Sequence, residues 1–315
     1  MTSNVFTSTL SKRGDTIVKL RDGTEPPLII IHGGLGSIHA FAPLKRAFST
    51  TLWAIQVTRD TPRHSLEAQI NFYYEEITAS LANGPYRIGA FSASSIIAVG
   101  IVKLLESSGR TVSQLAFIDH FPTTFITPML GVDLSVTPLG DSRARKIFLR
   151  SSINNLLAMT RADMRGQDPN RHRMADDLQA AYSDSPGNVQ PSASALEYKV
   201  EVDQFLNRIF DFILSLHLEH QIQRDHSHPP ISDKAFMVQW MQSVHAPVSV
   251  YLSTYGMLGT YAQDDHPPPE WHIQEAFKNV EVVILDAGHY DILSKDALHR
   301  GLQGNYLMYR AQSHL

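Results

Sequence analysis

Apolar positions change period several times along the chain, and each change marks an element. Thr16–Arg21 alternates apolar and polar residues, the two-residue period of a strand, and Asp22-Gly23 follows as a turn. Behind Pro26-Pro27, Leu28–Ile31 is a continuous apolar run, as in a strand buried on both faces, and it stops at the glycine-rich loop His32–Ser37. Trp53–Val57 predicts the next strand. In Ser65–Leu81 the residues Leu66, Ile70, Tyr73, Tyr74, Ile77 and Leu81 fall at helical spacing. After the Asn83-Gly84-Pro85 turn, Tyr86–Phe91 predicts a short strand ended by Ser92. Ile96–Leu105 is apolar nearly all round, which predicts a buried helix closed by Gly109; Leu115–Ile118 predicts another buried strand, ending at Asp119-His120. Strands and helices alternating in this way imply a parallel sheet covered by helices.

The middle of the chain behaves differently. From about Phe125 to Lys234 the patterns are helical and none reads as a strand. Tyr198, Val202, Phe205, Ile209, Ile213 and Leu216 share one face of a long helix, and Arg145–Met159 predicts a second. Asp184–Ser194, rich in Ser, Pro, Gly and Asn, predicts a mobile loop, and His226–Pro230 marks another break. Strand character returns at Pro247–Ser253 and Val280–Leu285, and Ile292–Tyr309 predicts a closing helix. No internal repeat is visible. The architecture expected is an α/β core formed by residues 1–125 and 236–315, interrupted by a helical insertion at 126–235.

Composition narrows the function classes. With 43% hydrophobic and 18% charged residues, the chain is too apolar to be disordered. Lys plus Arg number 27 against 31 for Asp plus Glu, a formal net charge of −4, which argues against a nucleic-acid partner. The absence of cysteine excludes disulfides, thiolate metal sites and a Cys nucleophile, and it fits a reducing compartment; a cytoplasmic location is expected. The N-terminal stretch lacks the apolar core of a signal peptide, and no run approaches the roughly 18 apolar residues that span a bilayer, so no membrane association is expected. Met1 is what a complete gene product would begin with.

The sharpest chemical signal is Tyr86–Ser95, YRIGAFSASS. A serine between a buried strand and a buried helix sits on a tight turn with its hydroxyl raised at the carboxyl end of the sheet, the geometry of a nucleophile elbow. The usual pattern is G-x-S-x-G; here the flanking positions are Ala90 and Ser94, small but not glycine. The bland alternative is that Ser92 caps the following helix. A serine nucleophile needs a base. Of the 15 histidines, His289 follows the last predicted strand directly, in VVILDAGH, again at the carboxyl end of the sheet. The base in turn needs a carboxylate. Asp119 ends the strand after the nucleophile strand, whereas the rival locus after Pro247–Ser253 runs into Thr254-Tyr255-Gly256, with Asp264 and Asp265 farther downstream. Asp119 is the better candidate, set against a turn aspartate bonding its own backbone. The chain order Ser, Asp, His is that of α/β hydrolases. Oxyanion donors are plausible at the backbone amides of Ala93 and of the His32–Ser37 loop, above all Gly34. A phosphate-binding loop is the alternative there, but the Lys-Ser/Thr ending and the full dinucleotide spacing are missing.

With these residues assembled, the chain resembles the thioesterase domains of fatty acid, polyketide and nonribosomal peptide synthases. The likeness lies in PPLIIIHGGLGS, LWAIQVTRDTPRHSLEAQINFYYEEI, GPYRIGAFSASS, LAFIDHFPT and VVILDAGHYDIL, which cover about 16–125 and 245–310. The second and third stretches are especially similar to the animal fatty acid synthase thioesterase. The resemblance implies an α/β-hydrolase fold, a mostly parallel sheet flanked by helices with the insertion as a lid. It also implies Ser92 as nucleophile, Asp119 as orienter, His289 as base, and the Gly34 and Ala93 amides as oxyanion hole. Where the family usually has a bulky residue and then glycine after the serine, this chain has Ala93, Ser94 and Ser95. The implied reaction is transfer of an acyl group from a phosphopantetheine thioester to the serine and release by hydrolysis. Alternatives on the same scaffold are cyclisation or coupling, or an esterase acting on oxygen esters. The expected partner is an acyl or peptidyl carrier protein, or acyl-CoA, with no cofactor or metal of the enzyme's own. Arg143-Arg145-Lys146 and Arg171-Arg173 are candidate receiving patches for an acidic carrier.

Overall fold

The computed structural model describes residues 15–34, 36–132, 143–162, 169–183, 190–224, 231, 233–261 and 267–312. Its strands are β1 (Ile17–Arg21), β2 (Leu28–Ile31), β3 (Leu52–Ile55), β4 (Tyr86–Phe91), β5 (Val112–Ile118), β6 (Val248–Ser253) and β7 (Val280–Leu285). They form one seven-stranded sheet in the order β1-β3-β2-β4-β5-β6-β7. Only β1 runs antiparallel, against β3; every other pair is parallel.

Alternate residues of the central strands feed two cores, the reason β2 reads as an unbroken apolar run. Ile29 and Ile31 pack with residues of α2 (Leu66–Ser80) and α3 (Ser95–Ser107). Leu28 and Ile30 pack on the opposite face with Leu44 of α1 (Ala42–Ala47) and Leu298 and Leu302 of α10 (Asp296–Gln312). Ser65 caps α2 by accepting from Ala68 N at 3.1 Å. Gly100 lets α3 approach α2 closely: a Cβ there would lie 2.7 Å from Ile70 Cδ1.

Two strand limits differ from the pattern. β3 stops at Ile55, because Val57 N turns away to bond the Gly36 carbonyl at 2.8 Å. β5 begins at Val112 rather than Leu115, since its first turns carry buried polar residues that no apolar pattern reveals. Gln114 is buried because Arg87, also fully buried, donates from Nε to its Oε1 at 3.0 Å and from Nη2 to the Leu302 carbonyl at 2.7 Å.

Between β5 and β6 lie α4 (Arg143–Ala162), α5 (Pro169–Ala181), α6 (Ala193–Arg224) and α7 (Ala235–Gln242), with no strand among the described residues. The periodicity of α4 and α6 was legible; α5 was not, because its sequence is largely polar. The expected loop Asp184–Ser194 lies partly outside the described residues, and its last two residues already belong to α6. The break at His226–Pro230 lies outside them as well. On α6, Val202, Phe205, Ile209 and Ile213 are buried, with Tyr198 and Leu216 packed against the same core. Arg145 joins α4 to α6: Nη1 donates to Asn207 Oδ1 at 2.7 Å, Nη2 pairs with Asp211, and the guanidinium lies 4.5 Å from the Phe210 ring. It is therefore a tie within the insertion, while Arg143 and Lys146 on the same helix are exposed. The side chains of Arg171 and Arg173 lie outside the described residues. The short α8 (Met257–Tyr261) and α9 (Ile273–Ala276) connect β6 to β7, and among the described residues no helix is long and apolar enough to cross a membrane.

Candidate active site

The sheet order reverses around β2: the chain moves from β2 outward to β3, then returns to place β4 on the other side. In such sheets a crevice opens at the carboxyl ends of the strands, where loops diverge to opposite faces. The loop after β2, the turn after β4, the end of β5 and the loop after β7 all meet at this edge.

Ser92 follows β4 with φ of 58°, in the left-handed region, and is partly exposed. Holding a non-glycine residue there costs about 1–3 kcal/mol, so the surroundings must enforce it. The enforcement comes from the fully buried β4 on one side and the buried Ser94, Ser95 and Ile96 on the other. Among the described residues the Ser92 hydroxyl has no hydrogen-bond partner, and it does not cap α3. The glycine loop faces this turn. A Cβ on Gly33 would come 3.9 Å from Ser92 Cβ, and one on Gly34 would come 4.0 Å from Ala93 Cβ.

His289 stacks on Phe91, the residue before Ser92, with ring centroids 4.8 Å apart and planes inclined by 27°. Its Nδ1 lies 2.6 Å from Asp119 Oδ2, and both side chains are almost fully buried. A carboxylate only accepts, so Nδ1 carries the proton, and in the neutral ring Nε2 keeps its lone pair. Asp119 also has a left-handed backbone, φ 51°. Its carboxylate accepts from Ser253 N at 2.8 Å and Met257 N at 3.1 Å. The strand end after β6 thus supplies backbone amides to Asp119. Gly256 makes this possible, since a Cβ there would overlap Asp119 Oδ2 and Ser253 Oγ. Asp264 and Asp265 lie outside the described residues.

Several site residues went unread in the sequence. His120 is buried, with Nδ1 2.7 Å from Ser95 Oγ and Nε2 3.2 Å from Thr124 Oγ1. Burial, and then the neighbouring His289, push its pKa down to about 3. His32 is buried behind the glycine loop; burial lowers its pKa to about 4, opposed by a bond to the Gly33 carbonyl and aided by the charge of Arg208. Neither position carries a local signal beyond being a histidine at a strand end. From α6, Phe205 Cδ1 stands 3.6 Å from where a Gly34 Cβ would be. The Tyr198 hydroxyl bonds Tyr290, whose ring is 5.1 Å from that of His289. Arg63 donates to both Glu201 oxygens at 3.0 Å, fastening α6 to the loop after β3.

A mostly parallel sheet in this order, with a left-handed serine turn after β4 and a carboxylate–imidazole pair at the same edge, is the architecture of the α/β-hydrolase fold. Residues 26–132 match the family model described as a thioesterase domain, a stretch that contains Ser92 and Asp119. The chain is 29% identical over 297 residues to the highly reducing polyketide synthase stpks1 of Strobilurus tenacellus, covering 93% of this chain and 10% of that protein. Microperfuranone synthase of Emericella nidulans is 32% identical over 101 residues, 30% of this chain and 11% of that protein. A four-domain nonribosomal peptide synthetase bound to AMP and glycine shares the fold, with a TM-score of 0.54 at 18% identity over 94% of this chain and 20% of that one. The chain spans about a tenth or less of the length of such curated relatives.

Proposed function

We propose that the protein is a serine thioesterase that takes an acyl group from a phosphopantetheine thioester onto Ser92 and releases it by hydrolysis. The observation that carries the reading is the buried His289–Asp119 hydrogen bond beside a serine held in a left-handed turn. Ser92 Oγ attacks the thioester carbonyl while its proton passes to His289 Nε2. The oxyanion is held by the amides of Gly34 and Ala93. The intermediate collapses, the C–S bond breaks, and the thiolate leaves with the proton from His289, giving acyl-serine and free thiol. Water then attacks the ester and yields a proton to His289; collapse returns that proton to Ser92 Oγ and frees the acid. Asp119 holds the imidazole tautomer throughout and stabilises its charged form.

The insertion, with Phe205 against the glycine loop and Tyr198 beside the residue after His289, acts as a lid over the acyl group. An acyl or peptidyl carrier protein, or acyl-CoA, delivers the substrate; support for the carrier comes from the synthase relatives. The test is intact-mass detection of acyl adducts from a panel of acyl-pantetheine thioesters, on wild type and Ser92→Ala, with product analysis. An adduct on wild type alone, followed by free acid, is the expected result. A cyclised or coupled product would replace the hydrolytic step; turnover of oxygen esters alone would replace the substrate class. An unmodified wild type would remove the nucleophile.

A further inference from the structure

His32 is tied by all four of its polar groups, and each tie reaches a different part of the site. Its backbone N–H donates to the Ile55 carbonyl at 3.2 Å, at the end of β3. Its own carbonyl accepts from the Ser94 hydroxyl, in the turn that carries Ser92. Its ring Nδ1 lies 2.5 Å from the Gly33 carbonyl oxygen, and Nε2 lies 2.7 Å from the Tyr73 hydroxyl on α2. Tyr73 is itself fully buried and accepts from Gln69 Nε2 at 3.0 Å.

The chemistry of these partners fixes every proton. A backbone carbonyl only accepts, so Nδ1–H is the donor to Gly33. In the neutral ring Nε2 is then the acceptor, and the Tyr73 O–H must be its donor. Because that proton is engaged, the remaining contacts of the Tyr73 oxygen, with Gln69 and Thr61, must be acceptances, which the Gln69 amide and the Thr61 hydroxyl can supply as donors. The chain runs in one direction: Gln69 N–H to Tyr73 O–H to His32 Nε2, and His32 Nδ1–H to Gly33 O. The Gly33 carbonyl also accepts from Gly36 N at 3.0 Å, closing the turn that presents Gly34. A peptide plane is rigid, so holding the Gly33 carbonyl also holds the direction of the Gly34 N–H, which belongs to the same peptide unit.

We propose that His32, oriented by Tyr73 and Gln69, is the positioning residue that aims the Gly34 amide at the oxyanion. This rests on the reading of Ser92 as nucleophile and Gly34 as an oxyanion donor. The low basicity of the buried ring supports it, since a neutral imidazole keeps Nε2 as an acceptor at every working pH. A glycine-rich loop left to itself samples many directions, and a donor held in advance avoids reorganisation as charge develops.

The test uses side-chain amides as partial substitutes. In His32→Asn the amide nitrogen stands near the position of Nδ1 and can restore the bond to Gly33; in His32→Gln it reaches instead towards Tyr73. Wild type, His32→Ala, His32→Asn, His32→Gln and Tyr73→Phe are compared for rate of fluorophosphonate labelling, kcat and KM on one acyl-pantetheine thioester, and melting temperature. The expected result is a fall in kcat of roughly 100-fold in His32→Ala with KM within about 2-fold, the signature of a lost oxyanion contact. His32→Asn recovers about 10-fold of that loss, His32→Gln recovers none, and Tyr73→Phe falls between wild type and His32→Ala. A folded His32→Ala that labels and turns over as wild type does overturns the proposal. So does equal activity of the Asn and Gln variants, a comparison that stands even where the Ala variant fails to fold. Absence of Ser92 labelling in the wild type itself would instead overturn the thioesterase reading on which the proposal depends.

Discussion

The Ser94 hydroxyl donates to the carbonyl oxygen of His32, and both residues are buried. This bond joins the third residue of the serine turn to the residue ahead of the glycine loop, so the two halves of the site are tethered directly. Ser94 stands where the usual serine-turn pattern has glycine, and the hydroxyl gives that departure a structural use. Ser94→Ala is expected to destabilise the fold by about 1–3 kcal/mol, the range for a buried acceptor left without its donor. Urea denaturation measures the stability, and the fluorophosphonate labelling rate, expected to fall in parallel, measures the site.

Asp119 fixes the proton on His289 Nδ1. Asp119→Asn keeps the volume but can present an N–H to the imidazole, which then favours the wrong tautomer. Acylation of Ser92 is expected to slow by roughly 1,000-fold or more, with a far smaller change in KM. Stopped-flow release of the free thiol reads the step directly.

Gly256 has no room for a side chain, since a Cβ would overlap Asp119 Oδ2 and Ser253 Oγ. Gly256→Ala therefore forces the carboxylate away from His289 although residue 256 touches no substrate. Loss of more than about 100-fold in kcat/KM is expected, with a melting temperature lowered by several degrees. Wild-type turnover in this variant would show that the carboxylate tolerates displacement.

Two buried histidines make stability sensitive to acid. His32 and His120 titrate near 4 and 3 in the folded chain, against 6.5 for the free side chain. Between those values the unfolded chain binds more protons, so stability falls as pH drops from about 6.5, each histidine contributing up to about 1.4 kcal/mol per pH unit within its window. The groups near His32 are Tyr73 and Arg208, and Arg63 lies next to Arg208. Melting curves between pH 7.5 and 4.5 should slope less steeply for His120→Asn than for wild type; equal slopes would contradict the burial account.

Phe205 covers the glycine loop from α6. Phe205→Ala opens space beside Gly34 at a stability cost of about 3 kcal/mol. Competition between a branched and a linear acyl thioester should shift toward the branched substrate, and an unchanged ratio would place the acyl chain elsewhere.

Much of this was legible along the chain. The unbroken apolar run announced β2, the short Tyr86–Phe91 pattern β4 and Leu115–Ile118 the second half of β5, and Ser92, Asp119 and His289 stand out because each follows one of the predicted strands. Helices α2, α4 and α6 followed from their helical patterns, and α3 from a segment apolar nearly all round. Hidden were α5, whose polar sequence has little stripe to read, and the start of β5, whose Gln114 is buried by pairing with Arg87 across the sheet.

Local order along the chain determined which side chains stand at strand ends, because period and turn chemistry act over a few residues. It left open whether the carboxylate comes from β5 or from β6, and only the tertiary structure brings Asp119 of β5 against His289. The two strand ends fold together, Gly256 leaves a space that Asp119 fills, and the amides of Ser253 and Met257 hold the carboxylate there. The same holds for His32, Tyr73 and Ser94, which meet across large sequence separations. Their proton arrangement exists only once burial excludes water and obliges each polar group to find a partner in the protein.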